Sequence, residues 1–264
     1  MGPHDTWLAL FPGYHQLEEF AHAYLARDWR WMMFQDTHFS LARVAMALLV
    51  CALLVTGSLI YGARLRAAGD EAFVPPSRFD VRNLLEMFLD AVLGMMEGVM
   101  GRNNARRYLP LIATLAFLIF FSNLLGLIPG FMPPTDTLKT NLALSATVFV
   151  MTHVYGLRAH GASYLKHFLG PIWYLAPLMF VIELISHIAR PVSLALRLMG
   201  NIAADHKVVS VFFVLCPLLV PLPLMLLGVI VAIVQTLVFC LLATVYIGMA
   251  VAHGEGDHAE ARAH

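Results

Sequence analysis

Charged and polar side chains recur at helical spacing in an otherwise apolar segment between Glu183 and Asp205. An α-helix turns by about 100° per residue, which places many of them within roughly 80° of the direction of Arg197. This set contains Glu183, Ser186, His187, Arg190, Ser193, Asn201 and Asp205, whereas His206 points to the opposite side. Such a polar stripe inside an apolar helix predicts a path or relay for ions.

The two arginines of this stripe raise the question of where their counter-ions lie. Charges deep in a membrane cost several kcal/mol each unless they are paired or hydrated. Arg190 can pair with Glu183, one heptad earlier, or with lipid headgroups. None of the close neighbours of Arg197 on this face is anionic, and Asp205 is two turns away. The carboxylate that compensates Arg197 is therefore expected on another helix or another chain, and the guanidinium keeps its proton throughout.

The composition of the chain shows what kind of element must position these side chains. Of its 264 residues, 59% are hydrophobic and only 13% are charged, and the mean hydropathy is +0.74. These values are typical of a membrane protein. Seventeen basic residues balance seventeen acidic ones, so net charge gives no reason to expect a nucleic-acid partner. The three cysteines lie in apolar runs without metal-ligand spacing, and no metal site is predicted.

Apolar runs of about twenty residues, the length that crosses a bilayer, occur several times along the chain. The predicted spans are 39–63, 109–129, 141–157, 171–215 and 222–251. Between the first two, residues 79–100 carry charges along one narrow stripe, which predicts an amphipathic helix at the membrane surface. The predicted fold is thus all-α and polytopic, with about five transmembrane helices and one surface helix. The last two spans exceed the length of a perpendicular crossing and predict a long, tilted helical hairpin.

The distribution of basic residues predicts the orientation of this single transmembrane domain, residues 39–252. With the N-terminus outside, ten of the 17 basic residues lie in the cytoplasmic loops and tail. The positive-inside rule therefore favours residues 1–38 as an extracytoplasmic segment and 253–264 as a cytoplasmic tail.

Several motifs together resemble subunit a of the F-type ATP synthase membrane sector. They are PVSLALRLMGN at 191–201, NLLGLIPG at 123–130, PPTDTLKTNLALS at 133–145, and Gln235 with Tyr246 on the following helix. The resemblance covers about residues 38–252. It implies a multi-pass protein of the cell inner (plasma) membrane, assembled with a ring of c subunits and the subunit b stalk.

The resemblance also implies roles for individual residues. Arg197 matches the essential arginine that meets each ring carboxylate, and Gln235 matches the glutamine that approaches it from the last helix. Glu183 matches a carboxylate of the cytoplasmic half-channel. The remaining ion-pathway candidates are His187, Ser193, Asn201, Asp205, His206, Tyr246, Asn123 and Asn141.

One pair of positions departs from the family pattern. Bacterial relatives commonly have glutamate at the position of His206 and histidine at that of Gly228, and these form a relay across the last two helices. In this chain the two positions hold histidine and glycine, so the glutamate–histidine pair is absent. His206 titrates near neutral pH and can relay protons, with Asp205 as an acidic helper.

Other kinds of function predict features that the chain lacks. It has no GxxxxGK[ST] loop, so nucleotide chemistry is expected on other subunits, and no cofactor is predicted. An intramembrane hydrolase would need a GxSxG-like elbow around one of its serines. The main alternative is an independent ion-coupled secondary transporter, which would show inverted repeats and helices broken at mid-membrane. A purely structural scaffold would not place Arg197 and Gln235 on lipid-spanning helices.

Overall fold

Long α-helices make up almost the whole of the structure. The computed structural model describes residues 16, 19–20, 41–68, 81–128, 131, 133–161, 176–215 and 221–252. The helices are α1 (Leu41–Ala68), α2 (Val81–Gly126), α3 (Leu138–His160), α4 (Ala176–Leu215) and α5 (Pro221–Ala252), with a short 3-10 turn at Pro134–Asp136. These ranges contain no β-strand, and the predicted all-α fold is confirmed.

Four stretches within these helices are long and apolar enough to cross a membrane. By length and composition they are Arg43–Ala63, Arg82–Gly126, Leu138–His160 and Pro223–Val251. Helix α1 also exposes large apolar side chains, such as Leu59 at 67% and Leu48 at 64%. Such faces are unfavourable in water but suit hydrocarbon. The chain is a multi-pass membrane protein, and the remaining predicted span, 171–215, falls on the 40-residue helix α4.

Helix α2 folds back on itself at Gly101, where the backbone has φ 76° and ψ 161°. The ring of Phe88 lies 5.0 Å from that of Phe117 and 5.2 Å from that of Phe120, measured between centroids. One straight helix would separate residues 88 and 117 by about 40 Å. Two helical segments therefore run antiparallel, and glycine allows the turn because it lacks a Cβ atom. The surface position expected for the helix at 79–100 stays a prediction.

The helix limits differ from the predicted spans by several residues. Helix α1 continues to Ala68, five residues past the predicted end of the first span at 63. Helix α3 ends at His160, where Gly161 adopts φ 57° and its backbone N–H donates to the carbonyl of Leu157 at 2.8 Å. Three segments lie wholly or almost wholly outside the described residues: the predicted N-terminal segment, of which only residues 16 and 19–20 are described, the link 216–220 between α4 and α5, and the tail 253–264.

The chain divides into two compact units, each built from several helix segments. The first comprises Met1–Phe88, Phe117–Thr140 and Met199–Thr236, and the second comprises Leu89–Ala116, Asn141–Leu198 and Leu237–His264. In the first unit, Tyr61 Oη and Arg82 Nε both donate to Glu86 Oε1, at 2.9 and 2.7 Å, which ties α1 to α2. In the second, the rings of Tyr108 and Tyr155 pack at 4.6 Å between centroids.

Candidate functional site

The first unit contains a cavity of about 230 Å³ between segments of α2, α4 and α5. Its wall includes four of the predicted pathway residues: Asn123, Asn201, Asp205 and Gln235. The rest of the wall is mainly apolar, with side chains such as Val208 and Leu224. Since one water molecule occupies about 30 Å³ in the liquid, this space has room for several, and the polar groups give them partners.

A hydrogen bond joins the two long helices at this cavity. The side-chain amide of Asn201 on α4 donates from Nδ2 to Oε1 of Gln235 on α5, at 2.6 Å. Gln235 is buried, with 5% exposure, whereas Asn201 is exposed. Interhelical hydrogen bonds of this kind contribute about 0.6 kcal/mol on average in membrane proteins. The bond therefore acts mainly to hold the Gln235 carboxamide in one orientation at the cavity wall.

Asn123 is a polar residue of the cavity wall whose side chain is held in place by a hydrogen bond. Its Oδ1 accepts from Thr135 Oγ1 at 3.0 Å, which anchors the side chain to the segment after α2. Its Nδ2 is buried and has no hydrogen-bond partner in the part of the chain that the structure describes. A buried donor without a partner costs about 1–3 kcal/mol.

Asp205 is the one carboxylate among the described residues that line this cavity. It lies one helical turn beyond Asn201 on α4, so both side chains reach the same space. The side chain of His206, the other predicted relay group on this helix, lies outside the described residues. The described wall therefore contains a single group that is anionic in its ordinary ionised form.

Gly228 lies where the packing leaves no room for a side chain. It is buried on α5, and an added Cβ atom would collide with Cδ2 of Leu127 at the end of α2. The side chain of Leu127 thus occupies the space that a side chain at position 228 would enter. This contact gives a physical reason for a glycine at position 228.

This packing leads to a stability prediction for Gly228→Val. A branched side chain there overpacks the contact with Leu127, and such changes typically cost about 1–3 kcal/mol. We expect a lower midpoint temperature of thermal unfolding for the purified protein. The matched control is Gly94→Val on α2, since an added Cβ there meets nothing within 4 Å. Leu127→Ala in the same chain should restore much of the loss, and a double variant no more stable than Gly228→Val would contradict the assignment.

The second unit contains a smaller cavity, of about 20 Å³. Two predicted residues, His187 on α4 and Tyr246 on α5, come together in its wall. The guanidinium carbon of Arg190 lies 5.4 Å from the centroid of the Tyr246 ring, within the range of a cation–π contact. Arg190 therefore has Tyr246 as a stabilising partner, in addition to the Glu183 side chain and the lipid headgroups considered from the sequence. The Glu183 side chain lies outside the described residues.

His153 on α3 is a residue of this wall that the sequence reasoning missed. It follows Thr152, which belongs to a buried face with Asn141, Ser145, Val148 and Gly156. Those positions are spaced three or four residues apart, as on one face of a helix. This helical period of polar residues in α3 is the signal by which the sequence could have indicated His153. Asn141 itself is fully buried, and neither cavity has it among its lining residues.

Arg197 and Ser193 lie on exposed positions of α4. Among the residues that the structure describes, no carboxylate lies within 4.0 Å of the Arg197 guanidinium. An arginine at this place in an apolar helix is unfavourable without a counter-ion or water. Its exposed position leaves it accessible to a group from outside this chain.

Comparisons with known proteins match the chain to one family over most of its length. The family model described as ATP synthase A chain matches residues 44–248. ATP synthase subunit a 1 of Syntrophotalea carbinolica is 56% identical over 167 residues, which cover 63% of this chain and 71% of that protein. ATP synthase subunit a of Geobacter sulfurreducens is 48% identical over 200 residues, which cover 76% of this chain and 82% of that protein. The protein of that name from Sorangium cellulosum is 50% identical over 181 residues, which cover 69% of this chain and 71% of that protein.

Proposed function

Because the chain belongs to the ATP synthase A chain family, we propose that it is the stator subunit that guides protons to and from a rotating ring of c subunits. Arg197 is the residue that meets each ring carboxylate. Subunit b and the lipid bilayer complete its surroundings in the cell inner membrane. Nucleotide chemistry belongs to other subunits of the complex, and this chain supplies the proton path.

The observation that carries this proposal is the exposed Arg197 without a carboxylate among the described residues. A guanidinium keeps its charge in poor solvents, so Arg197 needs an anion from elsewhere. A ring of identical subunits would present one carboxylate after another. Each would be ionised beside Arg197 and neutral where it faces lipid, because burial in hydrocarbon favours the uncharged acid.

The two cavities support the two offset half-channels of the proposal. Along α4, Asn201 and Asp205 of the larger cavity follow Arg197, whereas His187 and Arg190 of the smaller cavity precede it. With the N-terminus outside, the C-terminal end of α4 faces the outer side of the membrane. We therefore assign Asn123, Asn201, Asp205 and Gln235, together with His206 and Asn141, to the outer half-channel. Glu183, His187, Ser193 and Tyr246 are assigned to the cytoplasmic one.

The fixed charge of Arg197 then explains how rotation is coupled to proton flow. A proton from the outer half-channel neutralises a ring carboxylate, which can enter lipid. When the ring brings a protonated acid to Arg197, the opposite charge favours ionisation, and the proton leaves by the cytoplasmic half-channel. The same charge repels a proton that would pass directly between the half-channels. Each charge that crosses gains about 2.3 kcal/mol per 100 mV of membrane potential, so a leak at this point would waste that energy.

Disulfide cross-linking tests whether the Arg197 face of α4 meets the ring. Ser193→Cys lies on that face and is exposed, and we expect it to form a disulfide with a cysteine placed beside the ring carboxylate. The background has its native cysteines replaced by serine, since Cys51 is exposed. Leu59→Cys on α1, which is also exposed at 67%, is the control and should give no product. Equal products from both positions, or none from Ser193→Cys, would contradict the proposal.

A second experiment separates this function from that of an independent transporter. Vesicles that contain the whole complex should acidify on addition of ATP, whereas vesicles with this chain alone should not accumulate a solute against its gradient. Ion-coupled uptake by the chain on its own would instead support the transporter.

A further inference from the structure

Two imidazole rings face each other in the smaller cavity. The ring centroids of His153 on α3 and His187 on α4 lie 5.4 Å apart, with an angle of 54° between the rings. Both side chains line the cavity together with Arg190 and Tyr246. His153 also packs against Phe149, with 4.3 Å between ring centroids. The pair therefore brings two groups that exchange protons readily to one point inside the second unit.

We propose that His153 and His187 pass protons to each other within this cavity, an inference that rests on the proposed function of the chain. His187 belongs to the stripe on α4, whereas His153 reaches the same space from α3. His153 thus becomes a further residue of the path for protons, one that the stripe itself does not contain. The pair connects two helices, as a relay across a helix bundle requires.

The proton balance of the relay involves the two ring nitrogens of each histidine. One imidazole accepts a proton on one nitrogen and releases the proton of its other nitrogen toward the second ring. No other bond forms or breaks, and the first ring is neutral again in its other tautomer. Rotation of the ring restores the starting tautomer. At a centroid distance of 5.4 Å, one bridging water can join the nitrogens, and a cavity of about 20 Å³ has room for it.

The other polar groups of the wall are less suited to this transfer. Thr152 Oγ1 donates to the carbonyl of Val148 at 2.8 Å, and Ser145 Oγ donates to that of Leu142 at 3.1 Å. Each hydroxyl proton is thus engaged with the backbone, and the oxygen remains only as an acceptor. Arg190 does not give up its proton. The imidazoles, with the Tyr246 hydroxyl, are the titratable groups of the described wall that both accept and donate.

Arg190 gives this cavity a further property. It lies three residues after His187 on α4, so both face the same space, and its charge has the sign of the transferred proton. Like charges in a medium of low dielectric constant repel strongly. A proton would therefore move through the pair without accumulating there, as a transfer path requires. Tyr246 keeps the guanidinium in place through the contact of 5.4 Å.

The test compares His153 variants in the whole complex. His153→Phe keeps an aromatic ring against Phe149 but cannot carry a proton, and His153→Ala removes the ring. We expect both to slow ATP-driven proton pumping by at least about tenfold. This is less than the usual range of about 10²–10⁴ for positioned acid–base groups, since water can replace part of the path. Added imidazole should restore pumping by His153→Ala severalfold and leave His153→Phe, whose ring fills the space, unchanged.

The matched control is His160→Gln on the same helix. His160 Nε2 donates to the carbonyl of Val251 at 2.8 Å, away from the cavity, and its loss should change pumping by less than about twofold. Pumping by His153→Phe at the wild-type rate would show that the ring serves packing and would overturn the inference. Failure of both His153 variants to assemble, or a slow His153→Ala that imidazole does not restore, would overturn it as well.

The Arg197→Ala variant in the same assay separates the two levels of the proposal. If that variant still pumps, the proposed function is wrong. If Arg197→Ala is inactive while His153→Phe pumps normally, only the role of the histidine pair is wrong.

Discussion

Complexes with Arg197→Ala should assemble and lose ATP-driven proton pumping by more than about a hundredfold. Removal of one partner of a desolvated ion pair leaves the other charge uncompensated, at a cost of about 3–5 kcal/mol. Each 1.36 kcal/mol on a barrier is a factor of ten in rate, so the ring carboxylate could no longer be ionised at this position. Acidification of inverted vesicles, followed with a pH-sensitive dye, measures the effect. Assembly is checked from the subunit content of the purified complex.

Two further variants show whether the charge or the shape of Arg197 matters. Arg197→Lys keeps a positive charge but loses the planar fork that meets a carboxylate with two hydrogen bonds, and we expect it to recover only a small part of the rate. Arg102→Ala is the control: its side chain is 74% exposed and lies 3.7 Å from Glu97, in a pair of the kind that contributes about 0–1 kcal/mol. Pumping by Arg197→Ala near the Arg102→Ala rate would disprove the assigned role.

Asp205→Asn should slow ATP synthesis driven by an imposed proton gradient by about tenfold or more. The amide has nearly the shape of the carboxylate, so the cavity and the assembly should be retained. An amide cannot take up and release a proton at the pH of the assay, however, and the described wall contains no other carboxylate. Synthesis in vesicles is measured as ATP formed after an acid–base transition with a potassium potential.

The controls for Asp205 separate a proton relay from a general effect of charge. Asp205→Glu retains a titratable group in the same cavity and should recover a substantial part of the rate. Asp90→Asn removes a carboxylate from an exposed position of α2, outside the cavity, and should be nearly neutral. A normal rate with Asp205→Asn would instead direct attention to His206 as the group that receives the proton in the outer half-channel.

Much of the fold could be read from the chain because its signals are local. Length and hydropathy identified the apolar helices, and the period of 3.6 residues placed Asn201 and Asp205 on the face of Arg197. The structure places both at one cavity with Gln235 of the next helix. The roles of these residues remain proposals, supported by the family to which the chain belongs.

Other features escaped the sequence because they depend on contacts between distant segments. The chain reverses at Gly101, which brings Phe88 to Phe117, and no run of residues around that glycine indicated a turn so sharp. His153 was missed because its significance lies in its distance to His187, 34 positions later. The contact that explains Gly228 is made by Leu127, about a hundred residues earlier, and spacing within α5 does not reveal it.

By itself, the sequence determined that this chain is a multi-pass helical membrane protein with a polar stripe centred on Arg197, because hydropathy and helical period act over a few turns. Only the tertiary structure decided which stripe residues share a cavity, which helix supplies the second histidine, and where Arg190 finds an aromatic partner. Those outcomes depend on how side chains of different volumes interdigitate between helices, and no spacing within one helix specifies that.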